Sequence, residues 1–329
     1  MRVMTGLLIL IFMGLTLVGC SYAAGGNVGK NKPPVKGARK EMKTYHIGRF
    51  AIDVPIEFQL AQQRHDFRLV EIEEIPVPPD QAPGKYAEQR WKERLSEIAK
   101  LDKPEGVNEI VIKQQNFSDL HRWSRGVLYY HDYMTVRRGA WEIWVDYGNQ
   151  ITVFNLIGLI RAQDSMLTWM KEVIQAYRPT SAPGVSNAFC TRMGAIDLPY
   201  KRQESSYARF NGPLQMVLEI EMNEIHGDSA KTGIINRTIA AMAGGLANGM
   251  AVKKIRSKNR TAAGLTGEEE ILQGDYQQEQ NVSFDWEYLG ASESGDKPMI
   301  QITMDTLADN LTEKIGVWDS VLSSFRSCK

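Results

Sequence analysis

The chain has 329 residues, with 39 basic side chains against 39 acidic ones and a formal net charge of zero. That balance gives no reason to expect nucleic acid or an anionic surface as partner. A hydrophobic content of 43% with seven tryptophans argues for packed cores and excludes a disordered chain.

The chain opens on an export signal. Met1-Arg2 precedes an almost unbroken apolar run from Leu7 to Val18, and Leu17-Val18-Gly19 leads directly into Cys20. A basic start, an apolar stretch too brief for a bilayer and small residues at a cut site describe a secretory signal over residues 1–19. Cysteine after Leu-Val-Gly is the bacterial lipoprotein pattern, in which the Cys20 thiol is acylated and becomes the new N-terminus. The competing reading is an ordinary signal cut near Ala23-Ala24-Gly25. Ser21, where aspartate would favour the inner membrane, points to the outer one. The expected location is the periplasmic side of a Gram-negative envelope, held there by lipid. Residues 20–43, rich in Gly, Pro and Lys, read as a flexible tether. No later segment is long and apolar enough to span a membrane.

The folded body carries a weak internal repeat. Gly48-Arg-Phe-Ala-Ile-Asp53-Val-Pro55 resembles Arg192-Met-Gly-Ala-Ile-Asp197-Leu-Pro199, 144 positions later (197 minus 53). The ends match too, Val173-Ile-Gln-Ala-Tyr177-Arg178 against Val321-Leu-Ser-Ser-Phe325-Arg326. The break falls in the Pro179–Gly184 linker. The expected organisation is an N-terminal domain over 44–180 and a C-terminal domain over 187–329.

Within each copy a short strand ends at a proline, Pro55 or Pro199. A second strand alternates apolar and polar residues, Phe67 to Ile72 and Met216 to Met222. A helix follows. Trp91, Leu95 and Ile98 form one stripe in the first copy, with Glu88 and Lys92 paired on its surface. Ile235, Ile239, Met242, Leu246 and Met250 form an apolar face in the second, running through Gly244-Gly245. Further strands are expected at 140–146, 151–154, 282–288 and 298–304, and closing helices at 164–177 and 311–326. This order predicts an α+β fold: two related domains from an internal duplication, each a mainly antiparallel sheet with two helices.

Cys190 and Cys328 are the thiols left after Cys20. In an oxidising compartment they read either as a disulfide or as two buried free cysteines, and the compartment favours the bridge. Such a bridge would close nearly the whole C-terminal half, worth roughly 4–5 kcal/mol as an upper figure.

Catalytic constellations are missing. There is no Gly-x-Ser-x-Gly, no His-Glu-x-x-His and no phosphate-cradling glycine loop. The five histidines are scattered; His121, His131 and Asp132 are the nearest approach to a metal set, and their spacing fits surface histidines better. Glu268-Glu269-Glu270 reads as a solvated turn opening a strand, with a calcium ligand or a dock for a basic partner as the sharper reading. Trp144 and Trp286 are expected in the core. Trp141 differs in parity from Trp144, so one of that pair is a candidate exposed anchor. No cofactor, metal, nucleic acid or small-molecule substrate is expected.

At this point the residues suggest a family. Ala188-Phe-Cys190, Ala195-Ile-Asp197, Ala208-Arg-Phe210, Gly264-Leu-Thr-Gly267-Glu-Glu-Glu270, Phe284-Asp-Trp286-Glu-Tyr288 and Ile300-Gln-Ile302 occur in this order. The set resembles the C-terminal domain of the type VI secretion lipase-effector (Tle) cognate immunity proteins. The first half, from Gly48-Arg49-Phe50 to Tyr177-Arg178-Pro179, resembles the N-terminal domain more loosely. The polar run after Pro199 and the short side chains of Gly264-Leu-Thr-Gly267 depart from the pattern and bear on which effector is bound. The resemblance implies a non-enzymatic, two-domain antitoxin that grips a secreted phospholipase and blocks its active-site crevice or lid. The surfaces facing across the 179–187 linker are where contact is expected, with no individual contact residue assigned. The alternatives are an envelope structural or assembly lipoprotein, and a hydrolase built on His121, His131 and a carboxylate.

Overall fold

The structure, a computed structural model, describes residues 41–179, 188–201, 203–224, 232–246, 252–276, 279–291, 294 and 297–328. The signal segment, Cys20, most of the tether and the 180–187 linker lie outside the described residues.

The first half runs β1 (Met42–Ile47), β2 (Phe50–Pro55), β3 (Gln59–Phe67), β4 (Val70–Pro76), α1 (Pro83–Ile98), β5 (Val111–Asn116), β6 (Ser124–Tyr130), β7 (Arg138–Asp146), β8 (Gln150–Leu159), α2 (Gln163–Ala176) and β9 (Tyr177–Pro179). The second half runs β10 (Phe189–Cys190), β11 (Gly194–Ile196), β12 (Glu204–Asn211), β13 (Val217–Asn223), α3 (Ile234–Leu246), β14 (Val252–Ala262), β15 (Leu265–Tyr276), β16 (Glu279–Tyr288), β17 (Met299–Leu307), α4 (Leu311–Ser324) and β18 (Arg326–Ser327). The mixed, mainly antiparallel α+β class holds, with few helices.

Helices form where apolar residues recur at helical spacing. In α1, which starts on Pro83, a residue suited to the first turn, Ala87, Trp91 and Ile98 are buried. In α2 the buried set is Met166, Met170, Val173 and Ile174. In α4 it is Val317, Trp318, Val321 and Leu322, with Lys314. α3 continues through Gly244-Gly245 to Leu246, but Ile239, expected on its buried face, is exposed.

Twelve strands form one sheet in the order β14-β15-β16-β17-β13-β12-β3-β4-β8-β7-β6-β5. From its centre outward the succession is the same in both directions: β12, β13, β17, β16, β15, β14 on one side and β3, β4, β8, β7, β6, β5 on the other. The sheets of the two halves are therefore joined edge to edge, with β3 antiparallel to β12 from Glu204↔Phe67 to Asn211↔Gln59. Pairing the two edges satisfies backbone groups that either half alone would leave open. Described residues from 41 onward belong to one compact unit.

Two local readings are corrected. Phe67 to Ile72 is not one strand but a hairpin, in which Arg68 (φ 51°) and Leu69 (φ 67°) make a two-residue turn between β3 and β4. Both residues are left-handed, the geometry that normally calls for glycine or asparagine. Arg68 is held by its side chain, which donates to Glu172 at 2.8 Å and to the Pro199 carbonyl at 2.7 Å. Glu268–Glu270 are not a turn either. The turn is Ala263-Gly264, at φ 52° and 78°, and the three glutamates lie inside β15.

Two three-stranded sheets, β1-β2-β18 and β10-β11-β9, cap the core face. Each takes strands from both halves: β18, from the C-terminus, pairs with β2, and β9 pairs with β11. The main apolar core fills the space between these caps, α2, α4 and one face of the large sheet; a second cluster around Trp91, Trp144, Val127 and Ile151 lies under α1 on the other face.

Cys190 and Cys328 are joined by a disulfide, with Cα atoms 6.7 Å apart and a sequence separation of 138. Both residues are buried beside Ala188 and Ala195. A loop of that length corresponds to about 5 kcal/mol of denatured-state entropy as an upper figure. Replacing both cysteines by serine should lower the urea midpoint of the mature protein by the equivalent of roughly 3–5 kcal/mol. An unchanged midpoint would mean that the bridge contributes nothing to stability.

Candidate partner-binding face

The large sheet has one face turned to the main core and one partly open. Along β12, Glu204, Ser206, Ala208 and Phe210 are buried, whereas Ser205, Tyr207, Arg209 and Asn211 alternate with them on the open side. Register carries this face across the sheet, through Asp66 and Glu71 on one side of Ser205, and through Glu221 and Gln301 beside Tyr207.

The two ends of the open face are covered by helices. On one end, Trp91 of α1 meets Trp144 of β7 edge to face at 6.0 Å. Arg94 crosses to Glu142 at 2.9 Å, and the same carboxylate accepts from the Trp144 indole at 2.7 Å. On the other end, the Glu268 carboxylate accepts the Ile235 amide in the first turn of α3 at 2.9 Å. Arg237 of α3 pairs with Glu287 of β16 at 2.9 Å. An anion in the first turn of a helix complements its dipole, which is why Glu268 fixes α3 there.

Between α1 and α3 lies a strip of half-buried and exposed side chains on β4, β3, β12, β13, β17 and β16. It carries Asp66, Glu71, Glu73, Glu219, Glu221, Asp285 and Asp305 against Arg64 and Arg209. Both arginines are already engaged, Arg64 with Asp66 and Glu71, and Arg209 with Glu219 at 2.6 Å. Among the other carboxylates, Asp305 repels Asp285. Asp285 is pushed up to about 6 by burial, with the charges of Asp305, Glu270 and Glu287 adding to it and the Ser283 hydroxyl opposing. Burial also raises Glu73, with Glu142 and Glu71 contributing, and it raises Asp305. At the α1 end, a cavity of about 250 Å³ lined by Glu71, Glu73, Arg90, Arg94, Trp144 and Asn155 opens on this strip.

The candidates named from sequence are placed differently. Glu268 anchors α3. Glu269 points to the core side, fully buried, where it accepts from the Trp318 indole at 2.7 Å and from Arg256 and Arg260 at 3.0 Å each. Its burial favours the neutral acid, but these donors and cations outweigh that and hold its carboxyl below the usual range. Glu270 is buried on the open side, taking the Ser257 hydroxyl at 3.0 Å. The reading of all three as a solvated turn is therefore overturned by strand pairing and burial. Trp141 and Trp144 face opposite sides, yet both are buried because both sides are covered: Trp144 by α1, Trp141 by α2, where its indole donates to the Gln163 carbonyl at 3.1 Å. Neither is an exposed anchor.

His121 lies against the Tyr147 ring at 5.1 Å, His131 is exposed in the turn before β7, and the Asp132 carboxylate accepts the Met134 amide. Among the described residues no three metal-ligating side chains gather, and no helix is long and apolar enough to cross a membrane. The acidic strip was missed as a unit, although its signal was present in Glu71-x-Glu73 and Glu219-x-Glu221, the polar positions of strands recognised only by their apolar ones.

Asp285 and Glu269 lie on neighbouring strands and should respond to neutralisation in opposite ways. A carboxyl whose folded value is raised favours the native state below its unfolded value near 3.8 and loses that contribution as pH rises through about 6. Asp285→Asn should therefore stabilise by about 1–2 kcal/mol at pH 7.5, with the gain vanishing near pH 4. Glu269→Gln should destabilise by about 2–3 kcal/mol at neutral pH, because it leaves guanidinium groups without their buried partner. The Glu269 contribution is present above the unfolded value of 4.5 and is lost as pH falls through the depressed folded one. Urea melts across pH 4–7.5 measure both.

Residues 183–328 match the family model described as the Tle cognate immunity protein 4 C-terminal domain. No curated protein sequence matches the chain. Among solved structures, the apo immunity protein TplEi of the type VI secretion system from Pseudomonas aeruginosa is similar at a TM-score of 0.71 and 16% identity, covering 88% of this chain and 98% of that one. A chain of the Tle4–Tli4 complex is similar at 0.69 and 16% identity, covering 87% and 97%. TplEi bound to an "L" peptide gives 0.65 at 16% identity, with 87% and 98% covered. The fold of these immunity proteins extends over 87–88% of this chain, and its residues 183–328 are similar to the C-terminal domain of the Tle cognate immunity protein 4 family.

Proposed function

We propose that this protein is an antitoxin that binds a type VI secreted phospholipase in the periplasm and blocks its active-site crevice or lid. The observation that carries this reading is the family match over the C-terminal half, joined to a shared fold with an immunity protein solved in complex with Tle4. The chain acts by binding, with no substrate of its own. Its two matching halves arose by duplication of one α+β unit, a reading supported by the sheet order that repeats outward from β3 and β12. Acylation of Cys20 and the tether behind it hold the body at the outer membrane, on the periplasmic side, where a phospholipase would attack.

The acidic strip between α1 and α3 is the contact surface for the effector. It is broad, lacks a covering element among the described residues and has carboxylates in excess of cations. The fitting surface on the effector is basic. Complementary charge of this kind speeds encounter and selects the partner more than it adds affinity.

Coexpression tests the function: cells producing the lipase effector encoded beside this chain should survive only when this chain is exported with it. Failure to bind or detoxify that effector removes the reading. For the surface, Glu73→Lys with Glu221→Lys should slow association about tenfold or more at low salt and flatten its salt dependence. Unchanged association kinetics would place the contact elsewhere while leaving the antitoxin function standing.

A further inference from the structure

The zero net charge of the whole chain conceals a local excess at one end of the large sheet. The turn between β6 and β7 presents Tyr133, Met134 and Val136 to solvent at 63, 77 and 49% exposure. Leu159, at the end of β8, is 42% exposed and lies opposite Arg138 in the ladder. Arg137, Arg138 and Arg161 are exposed around these apolar groups. Among the described residues none of the three guanidinium groups makes an ion pair, and the one carboxylate within the turn, Asp132, is turned to the Met134 amide at 2.8 Å.

The turn has defined geometry. The Thr135 hydroxyl accepts the Arg137 amide at 3.2 Å, the His131 amide donates to the Arg138 carbonyl at 3.3 Å, and the Arg137 carbonyl accepts the Ile160 amide at 2.9 Å. These bonds hold three large apolar side chains outward, where water gains nothing from them. Exposed apolar clusters of this kind mark interaction sites.

Two occupants are conceivable, a protein or a lipid surface, and the chemistry favours the second. A protein anchor works by filling a pocket with an aromatic or an arginine whose charge is met by the partner. Here the apolar groups sit in an exposed turn, and among the described residues the cations around it make no ion pair. That arrangement suits a bilayer interface, where methionine, valine and leucine enter the boundary between headgroups and chains, tyrosine stays at headgroup level and arginines meet phosphates.

We propose that the 131–138 turn, with Leu159 and Arg161, is an interfacial anchor that seats the folded body on an anionic phospholipid surface. It acts independently of the antitoxin reading and of any acyl chain on Cys20.

The test uses the full chain carrying Cys20→Ala behind a non-lipoprotein signal peptide, so that no acyl chain contributes. Sedimentation with phosphatidylethanolamine–phosphatidylglycerol vesicles should bring the protein down, phosphatidylcholine vesicles should not, and high salt should release it. Tyr133→Ser with Met134→Ser should lower the partition coefficient about tenfold or more. Arg137→Gln and Arg161→Gln should each lower it about fivefold, the change expected for one basic side chain near an anionic surface. All these side chains are exposed, so the variants should melt at the parent temperature, and the arginine variants carry the test if the tip variant does not. Absence of binding to the anionic vesicles, or binding that none of these changes weakens, overturns the proposal. Loss of effector binding by the same variants with vesicle binding unchanged would assign the turn to the protein partner and overturn it as well.

Discussion

The carbonyls of Gly48 and Arg49 accept the amides of Cys190 and Cys328, each at 2.8 Å, so the disulfide of the second half is built around a turn belonging to the first. Arg49 extends from that turn to Glu204 at the start of β12, donating two bonds at 2.7 and 2.6 Å in a pair that is nearly fully buried. Glu204 also stands opposite Phe67 in the β3–β12 ladder that joins the two halves of the sheet. One turn thus ties together the cap, the disulfide and the central seam. Gly48 has φ +59°, and a Cβ there would lie 2.4 Å from the Met222 methyl, so the position has both a backbone and a space requirement. A buried pair such as Arg49–Glu204 need not add net stability over an apolar one, but losing one partner leaves an uncompensated charge. The tie is therefore hard to alter one residue at a time.

The exchange of cap strands follows from the same arrangement. β9 leaves the first half to pair with β11, and β18 leaves the second to pair with β2. Each half lacks a cap strand that the other supplies, so neither core is closed alone. The seam between β3 and β12 is long, whereas β3 and β4 pair over only three positions, from His65↔Ile72 to Phe67↔Val70. Past His65 the two strands part, and a cavity of about 210 Å³ lined by Leu60, Gln63, Glu73, Glu74 and Arg192 opens there. The face available to a partner is continuous at the centre because the halves meet edge to edge, and it is bounded by α1 and α3 because each half places one helix on that side.

Much of this was legible in residue order. The Ala-Ile-Asp repeat, the Trp91 stripe, the closing helices and the alternating run in β13 belong to local physics, where side-chain period follows backbone geometry. The Arg68-Leu69 hairpin was not legible, because its left-handed residues are held by a distant carboxylate and carbonyl, Glu172 and Pro199, rather than by glycine. Glu269 was misread for a related reason: three adjacent acids look solvated until Arg256, Arg260 and Trp318 are brought to one of them by strand pairing and α4. Parity correctly set Trp141 and Trp144 on opposite faces, but it says nothing of whether a helix covers each face. The matching ends Tyr177-Arg178 and Phe325-Arg326 mark β9 and β18, but nothing in residue order says that each pairs with the other half.

Total charge proved the least informative number, because the charges are segregated. From Leu159 on β8 to Glu219 and Glu221 on β13 the sheet crosses β4, β3 and β12, four strand spacings of ~4.8 Å, or about 19 Å. That is roughly twice the physiological Debye length of about 8 Å, so the arginines around the 131–138 turn act separately from Glu219 and Glu221 on the far side of the strip. An anionic membrane would attract the first and repel the second. A body seated through the turn therefore keeps Glu219 and Glu221 beyond the reach of the lipid charge, open to a basic protein arriving at the same membrane. The two surfaces do not compete for one partner, because each is unfavourable to the other's.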